Sequence, residues 1–370
     1  MNICIVNCFD TWECRADLLY DVMREAGNNV KVLCSDFMHI EKKRRIEGKQ
    51  DYRFFTAEPY KKNISINRIY SHTQLSKDIF GFVRENVNSI DLLWVFSPPN
   101  SFIRDAAEIK KEHPRVILIF DMIDLWPETM PLNALKMLPV FYMWRKVRNK
   151  RLKYGDVIIT ECRLYKKVLG KVVEGLRVRT LYLAHEEKKY IPNLYLPEGK
   201  IGLCYLGSIN NIIDIDCISN IVRQCRKKYP VIFHIIGNGE RKEKLIRAVK
   251  NAGAEVVYHG KIYDREKKQQ IFDSCHYGLN IMKKSVCVGL TMKSIDYFEF
   301  GLPIINNIKG DTWNAVEEYG IGINYRRRDL LITVSPNNVE RKNARNFFEQ
   351  YLTKDKFRKE VHKILISVQR

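Results

Sequence analysis

The sequence predicts an α/β protein made of two doubly wound domains, each a parallel sheet covered by helices. Short apolar runs of strand length alternate with segments of helical period along most of the chain. The alternation occurs twice, restarting at "IGLCYLGS" (201–208) after the proline-bearing, mixed-charge stretch "AHEEKKYIPNLYLPEGK" (184–200). With 370 residues, 45% of them hydrophobic, the chain can bury two cores.

The first series opens with the strand "NICIVN", a helix over 14–26 with Leu18, Leu19, Val22, Met23 and Ala26 at helical spacing, a stop at Gly27 and Asn28, and the strand "NVKVLCS". This βαβ unit implies a parallel sheet with a right-handed crossover. Strands follow at 90–96, 115–124 and 156–161, with a helix over 101–112. The second series places strands at 201–208, 231–239, 255–262 and 277–282 and in "LPIINN". Helices are expected at 214–228, 240–252, 264–274 and from about Thr291. The last 30 residues read as helical and basic. The expected organisation is a domain over 1–184, a linker over 185–200, a second domain over 201–340 and a helical segment over 341–370. Two such domains facing a cleft bind ligands there, at the carboxyl ends of their strands.

Lys plus Arg number 63 against 43 Asp plus Glu, a net charge of +20, which points to an anionic partner: nucleic acid, an anionic membrane surface or a phosphorylated substrate. No nucleic-acid-binding signature accompanies the charge, so no nucleic acid is expected. The 10 cysteines form no C-x-x-C pair and read as reduced thiols of a cytoplasmic protein. No signal peptide and no membrane span are expected.

The stretch "GLTMKSIDYFEFGLPII" (289–305) carries the chemistry. Thr291 can cap a helix whose first-turn N–H groups can hold a phosphate. Lys293 adds charge at that end. Asp296, about 60° away around the helix at 100° per residue, can accept from ribose hydroxyls. Met292, Ile295 and Phe298 are expected to turn into the domain. Gly301 and Pro303 end the helix. As a bare pattern, the same residues also describe an ion pair on a capped surface helix.

The ordered blocks "CYLGSIN", "FHIIGNGERKEKL", "VVYHGKIYDREK", "YGLNIM" and "GLTMKSIDYFEFGLPII" resemble the nucleotide-sugar-binding domain of GT-B glycosyltransferases, most like glycosyltransferase family 4, over roughly 201–325. The resemblance implies two Rossmann-like domains and transfer of a sugar from a nucleoside-diphosphate sugar, UDP-sugar favoured over GDP-sugar, with no cofactor and no metal. It implies donor-binding roles for Gly207, Ser208, Gly237, Lys261, Ile262, Tyr263, Thr291, Met292, Lys293 and Asp296, the last replacing the family's Glu. Two departures stand out. Val288 occupies the position, eight residues before Asp296, where retaining members often carry Glu. "GSINNIIDID" lacks the Arg and Lys that often clamp the diphosphate.

In the first half, "FDMIDLWPET" (120–129) resembles the "D-L-W-P-E" segment of bacterial members that build surface polysaccharides. That makes Asp124 and Glu128 catalytic candidates beside Lys293, and Trp126 a stacking platform. Asp10 and Thr11 are expected to face the same cleft. The acceptor implied is a polyprenyl-linked glycan, with retention of anomeric configuration. The run "LPVFYMWRKVRNKRLK" (138–153) combines aromatics with Arg145, Lys146, Arg148, Lys150, Arg151 and Lys153, which fits peripheral binding to the anionic inner face of the cell membrane. Arg241, Lys242, His185 and His234 are expected to be solvated or structural, and no His/Cys/Asp cluster shows metal spacing. A GT-B nucleotide-sugar epimerase and a non-catalytic partner of this fold are the alternatives.

Overall fold

The structure is a computed structural model and describes residues 1–130, 132, 136–186, 191–193, 196, 198–326 and 339–369. It forms two compact units: Met1–Leu183 with Phe357–Arg370, and Ala184–Lys356. Much of the expected linker therefore belongs to the second unit; residues 187–190, 194, 195 and 197 lie outside the described ones. The sequence sets 341–370 apart as one segment, but its two helices divide by contacts, the last joining the first unit from Phe357 onward.

The first unit runs β1 (Asn2–Asn7), α1 (Glu13–Glu25), β2 (Asn29–Ser35), β3 (Phe37–Met38), β4 (Lys43–Arg44), β5 (Tyr52–Phe55), α2 (Ile66–Glu85), β6 (Leu92–Ser97), α3 (Asn100–Glu112), β7 (Ile117–Met122), α4 (Pro139–Asn149), β8 (Val157–Thr160), α5 (Arg163–Leu169) and β9 (Val178–Thr180). Its sheet is parallel throughout, in the order β5-β2-β1-β6-β7-β8-β9. The order reverses between β1 and β6, where neighbouring crossovers part and leave a crevice at the strands' carboxyl ends. Central strands are covered on both faces and read as continuous apolar runs, as in "LLWVFS", every residue buried.

The sequence reading assigns no element to 36–89, yet α2 is there. Its buried face includes Ser71, His72 and Ser76 among Leu75, Ile79, Phe80 and Val83, so polar residues break the apolar period that would reveal it. Ser65 caps it, accepting from the Arg68 N–H at 3.2 Å.

The second unit runs β10 (Ile201–Leu206), α6 (Ile215–Arg226), β11 (Val231–Ile236), α7 (Lys242–Asn251), β12 (Ala254–Gly260), α8 (Arg265–Asp273), β13 (Tyr277–Asn280), α9 (Met292–Glu299), β14 (Ile304–Asn306), α10 (Asp311–Tyr319), β15 (Gly322–Asn324) and α11 (Val339–Tyr351); α12 (Lys354–Gln369) follows. Its parallel sheet has the order β12-β11-β10-β13-β14-β15, reversing between β10 and β13. The chain that leaves β13 enters α9, so the start of that helix arrives beside the switch point.

One polar knot sits in the first core. Arg15 donates from Nε and Nη2 to both oxygens of Asp121 at 3.1 and 3.0 Å, and Trp94 Nε1 donates to Asp121 Oδ2 at 2.9 Å. Asp121 is fully buried and Arg15 nearly so. A charge pair here is tolerated because both carboxylate oxygens and all three guanidinium nitrogens find a partner, Nη1 donating to Leu181 O at 3.1 Å. Asp121→Ala would strand a buried guanidinium and an indole N–H, and should lower unfolding free energy by about 3–5 kcal/mol in urea titrations; an unchanged midpoint would show that the knot contributes nothing.

Candidate functional site

Three strand ends lie side by side at the carboxyl edge of the second sheet. The Gly207 N–H donates to Ile236 O at 2.9 Å and the Gly237 N–H to Gly260 O at 2.7 Å. Gly237 has φ +140°, and a Cβ there would stand 2.0 Å from Gly207 O, so only glycine lets the two turns touch. Ser208 is exposed beyond them. Lys261 and Tyr263 are exposed on the loop after β12, with Ile262 half-buried between them.

Helix α9 is fastened to this edge. Tyr297, fully buried, accepts from the Leu206 N–H at 2.8 Å and donates to Cys204 O at 3.2 Å. Gly278 makes room for its ring: a Cβ there would lie 2.8 Å from Tyr297 carbons. Thr291 accepts from the Ser294 N–H at 3.2 Å and Ser294 Oγ from the Thr291 N–H at the same distance, a reciprocal cap. Thr291 Oγ1 also donates to Asn280 Oδ1 at 2.8 Å. Met292, expected to turn inward, is half-exposed; Ile295 and Phe298 are buried as expected, together with Ser294, Tyr297 and Glu299.

Lys293 is the feature these restraints surround. Its Nζ donates to Tyr205 Oη at 3.3 Å, lies 4.5 Å from the centre of that ring, and has no carboxylate partner among the described residues. Tyr205 in turn donates to Ser208 O at 2.9 Å, tying the ammonium to the β10 turn. Gly207 lies against the lysine stem, its absent Cβ 4.0 Å from Lys293 Cε. Burial pulls the Lys293 ammonium from the usual 10.5 down to about 8. A cation held in a helix's first turn without a counter-ion is arranged for an anion from outside.

Asp296 is not free: Lys268 Nζ donates to its Oδ1 at 3.0 Å. Its carboxylate also lies within 4.8 Å of ligand atoms of His185 and Glu299, a grouping the sequence could not show because His185 is remote in the chain. His185 Nδ1 is 2.8 Å from Glu299 Oε2, and Glu299 also pairs with Arg265. Each carboxylate thus carries its own cation, which suits an internal network better than a metal ion.

In the first unit the expected residues divide. Asp124 accepts from the Leu125 N–H at 2.9 Å and from Trp126 Nε1 at 2.8 Å, and burial raises its carboxyl pKa. Glu128 forms a fork with Arg148, at 2.9 and 2.7 Å, and pairs with Arg145 at 3.2 Å. That makes Glu128 a structural partner here instead of a free catalytic carboxylate. Trp126 is buried under the Arg68 guanidinium, 4.3 Å from the ring centre, and stacks on His72 at 6.2 Å; it is a wall residue and not an open platform. Asp10 Oδ1 accepts from the His39 N–H at 2.8 Å, and Thr11 is exposed.

The basic run also changes character. Arg148 is buried in its fork, and Arg145 and Arg151 are half-buried, so Lys146, Lys150 and Lys153 are the exposed cations. Phe141 and Trp144 pack against the core, while Met137, Leu138, Val140, Tyr142 and Met143 are exposed.

No protein-family model matches the chain, and no curated protein does. Solved structures do. Sucrose-phosphate synthase from Thermosynechococcus elongatus superposes with a TM-score of 0.70 at 12% identity, over 100% of this chain and 99% of that one. Anabaena Alr3699/HepE in complex with UDP gives 0.66 at 12% identity, over 99% and 100%. A glycosyltransferase from Rickettsia africae gives 0.64 at 8%, over 100% and 98%. The fold is GT-B. At these identities the likeness speaks for GT-B architecture alone.

What the sequence missed within this GT-B frame is Tyr205 as the seat of Lys293, Lys268 as the partner of Asp296, and Arg68 and His72 beside Trp126. The first two lie within quoted blocks or next to them, but only pairing of β10 with β13 reveals the contacts.

The lowered Lys293 pKa predicts how pyrophosphate binding varies with pH. A bound anion favours the ammonium, so the complex titrates above about 8. Pyrophosphate itself loses protons in this range, so the quantity to read is the ratio of wild-type to Lys293→Ala affinity, in which the ligand's own titration cancels. Below pH 8 the free ammonium is already charged and this ratio is flat; above it the ratio should fall by up to about tenfold per pH unit until the complex too loses its proton. Calorimetry of both proteins from pH 6 to 10 measures this; a pH-independent ratio would show that Lys293 does not meet the anion.

Proposed function

We propose that this protein is a glycosyltransferase that moves a sugar from a nucleoside-diphosphate sugar, UDP-sugar favoured, to a hydroxyl of a polyprenyl-linked glycan in surface polysaccharide biosynthesis. The observation that carries the reading is the Lys293 ammonium, half-buried without a carboxylate partner among the described residues at the start of α9, beside the switch point of the second sheet. The resemblance in 201–325 and the UDP seen in the HepE structure favour the same ligand.

The diphosphate would take the first-turn N–H groups of α9 and Lys293, whose charge matters most as the glycosidic bond breaks and negative charge grows on the leaving phosphate. Lys293 also takes over the part of the Arg and Lys missing after Ser208. The ribose would take Asp296, with Lys268 holding the carboxylate in place, and the base would lie on the loop of Lys261, Ile262 and Tyr263. In the first unit Asp124, its carboxyl pKa raised by burial, is the remaining candidate for a proton acceptor. Retention of configuration rests on the resemblance. Peripheral membrane contact is favoured by the exposed side chains from Met137 to Met143 beside Lys146, Lys150 and Lys153. No helix among the described residues is long and apolar enough to cross a membrane.

Two substitutions test the donor site. Asp296→Ala should weaken UDP-sugar binding by about 1.5–3 kcal/mol, the loss of a charged hydrogen-bond partner, with the fold intact. Lys293→Ala should lower kcat more than it raises the donor KM, because its contact strengthens in the transition state. Unchanged donor affinity in the first variant, or a pure KM effect in the second, would remove that residue from its role.

A further inference from the structure

A cavity of about 380 Å³ opens between the start of α2 and α4 in the first unit, within the size range of small-molecule sites. Its walls are apolar: Ile64, Ile69, Val140, Phe141 and Trp144, with Trp126 at the side. Ile64, Ile69 and Val140 are also substantially exposed, at 54%, 46% and 58%, so apolar side chains reach from the cavity to solvent. Such a collar is unfavourable in water unless something apolar covers it.

One end is cationic. Arg68 lines the cavity, 7% exposed, and donates from Nη1 to Asn63 O at 2.5 Å. Lys42 Nζ donates to Oδ1 of the same Asn63 at 2.5 Å. Neither cation has a carboxylate within ion-pair distance among the described residues. Arg68 Nε and, on the neighbouring turn, His72 Nε2 are buried with no hydrogen-bond partner. Buried polar atoms without partners are uncommon and mark a place where a polar group is missing.

We propose that this cavity holds the apolar chain of the prenyl-phosphate-linked acceptor, with Arg68 and Lys42 receiving its phosphate. Three features favour that occupant over a protein partner. A half-open cavity of this volume accepts a single chain, whereas a flat protein surface would cover the collar and leave the interior empty. The two unpaired cations complement a phosphate. Trp126, which walls the cavity, donates to Asp124, so a phosphate at Arg68 brings the acceptor's sugar end toward that carboxylate. The inference rests on the glycosyltransferase reading for the identity of the acceptor, but the chain-binding site stands on its own geometry.

The test uses the full chain without detergent and a fifteen-carbon prenyl diphosphate as probe, followed by calorimetry. The matching prenol, inorganic pyrophosphate, phosphatidylglycerol vesicles and UDP are titrated in parallel. With the nucleotide site filled by UDP, prenyl diphosphate should bind at least about tenfold more tightly than either prenol or pyrophosphate, since each supplies half of the recognition. Ile69→Asp and Val140→Asp, at exposed positions, should each weaken it by about tenfold or more and leave UDP binding unchanged. Arg68→Gln should abolish the preference for diphosphate over prenol. Equal binding by wild type and both Asp variants, or binding to vesicles without binding to the soluble prenyl diphosphate, would overturn the proposal. UDP binding without prenyl diphosphate binding would overturn it while leaving the donor site intact; prenyl diphosphate binding without any nucleotide binding would support the cavity and overturn the transferase reading.

Discussion

The second unit depends on one arrangement: a lysine ammonium placed without a counter-ion over the ring of Tyr205. A charge left this way is unfavourable, and burial draws Lys293 well below its ordinary pKa in consequence. A flexible lysine would swing to solvent. Here the neighbours prevent it. Tyr297 pins α9 to β10 through two backbone hydrogen bonds, and Thr291 and Ser294 close the helix start on each other. Gly207 and Gly237 bring two turns into contact, and the lysine stem lies against Gly207. The restraint is held in rigid backbone, which is what a site needs if an incoming diphosphate is to find its partner already placed.

The same logic explains the carboxylates around α9. Asp296 pairs with Lys268 and Glu299 with Arg265, both from α8, with the His185 imidazole beside Glu299, so neither carboxylate drifts toward Lys293 to neutralise it. Lys268 holds the Asp296 carboxylate in orientation. A ribose hydroxyl can donate to that carboxylate without displacing the lysine, because a carboxylate accepts several hydrogen bonds.

Much of the second unit was legible in the sequence. Its strands are buried, short and apolar, and its helices are punctuated by caps and glycines, so strand "IGLCYL" and helix "MKSIDYFE" fall close to where the pattern puts them. The order of the blocks also pointed to Lys293 and Asp296. What periodicity could not supply was partnership between distant residues: Tyr205 with Lys293, Lys268 with Asp296, His185 with Glu299. In the first unit the loss was larger. Helix α2 buries serines and a histidine, so its apolar stripe is interrupted, and with it went Arg68 and His72. Glu128 looked like a free acid because the arginine that forks it, Arg148, read as part of a membrane-facing basic run. Charge alone does not tell a paired arginine from an exposed lysine; burial does.

The central claim is that Lys293 receives the β-phosphate of a nucleoside diphosphate. The most direct measurement is a calorimetric cycle of UMP and UDP against wild type and Lys293→Ala. The account predicts that wild type binds UDP much more tightly than UMP, and that most of this difference vanishes in the variant while UMP affinity changes little. An equal UDP-over-UMP preference in both proteins would contradict it.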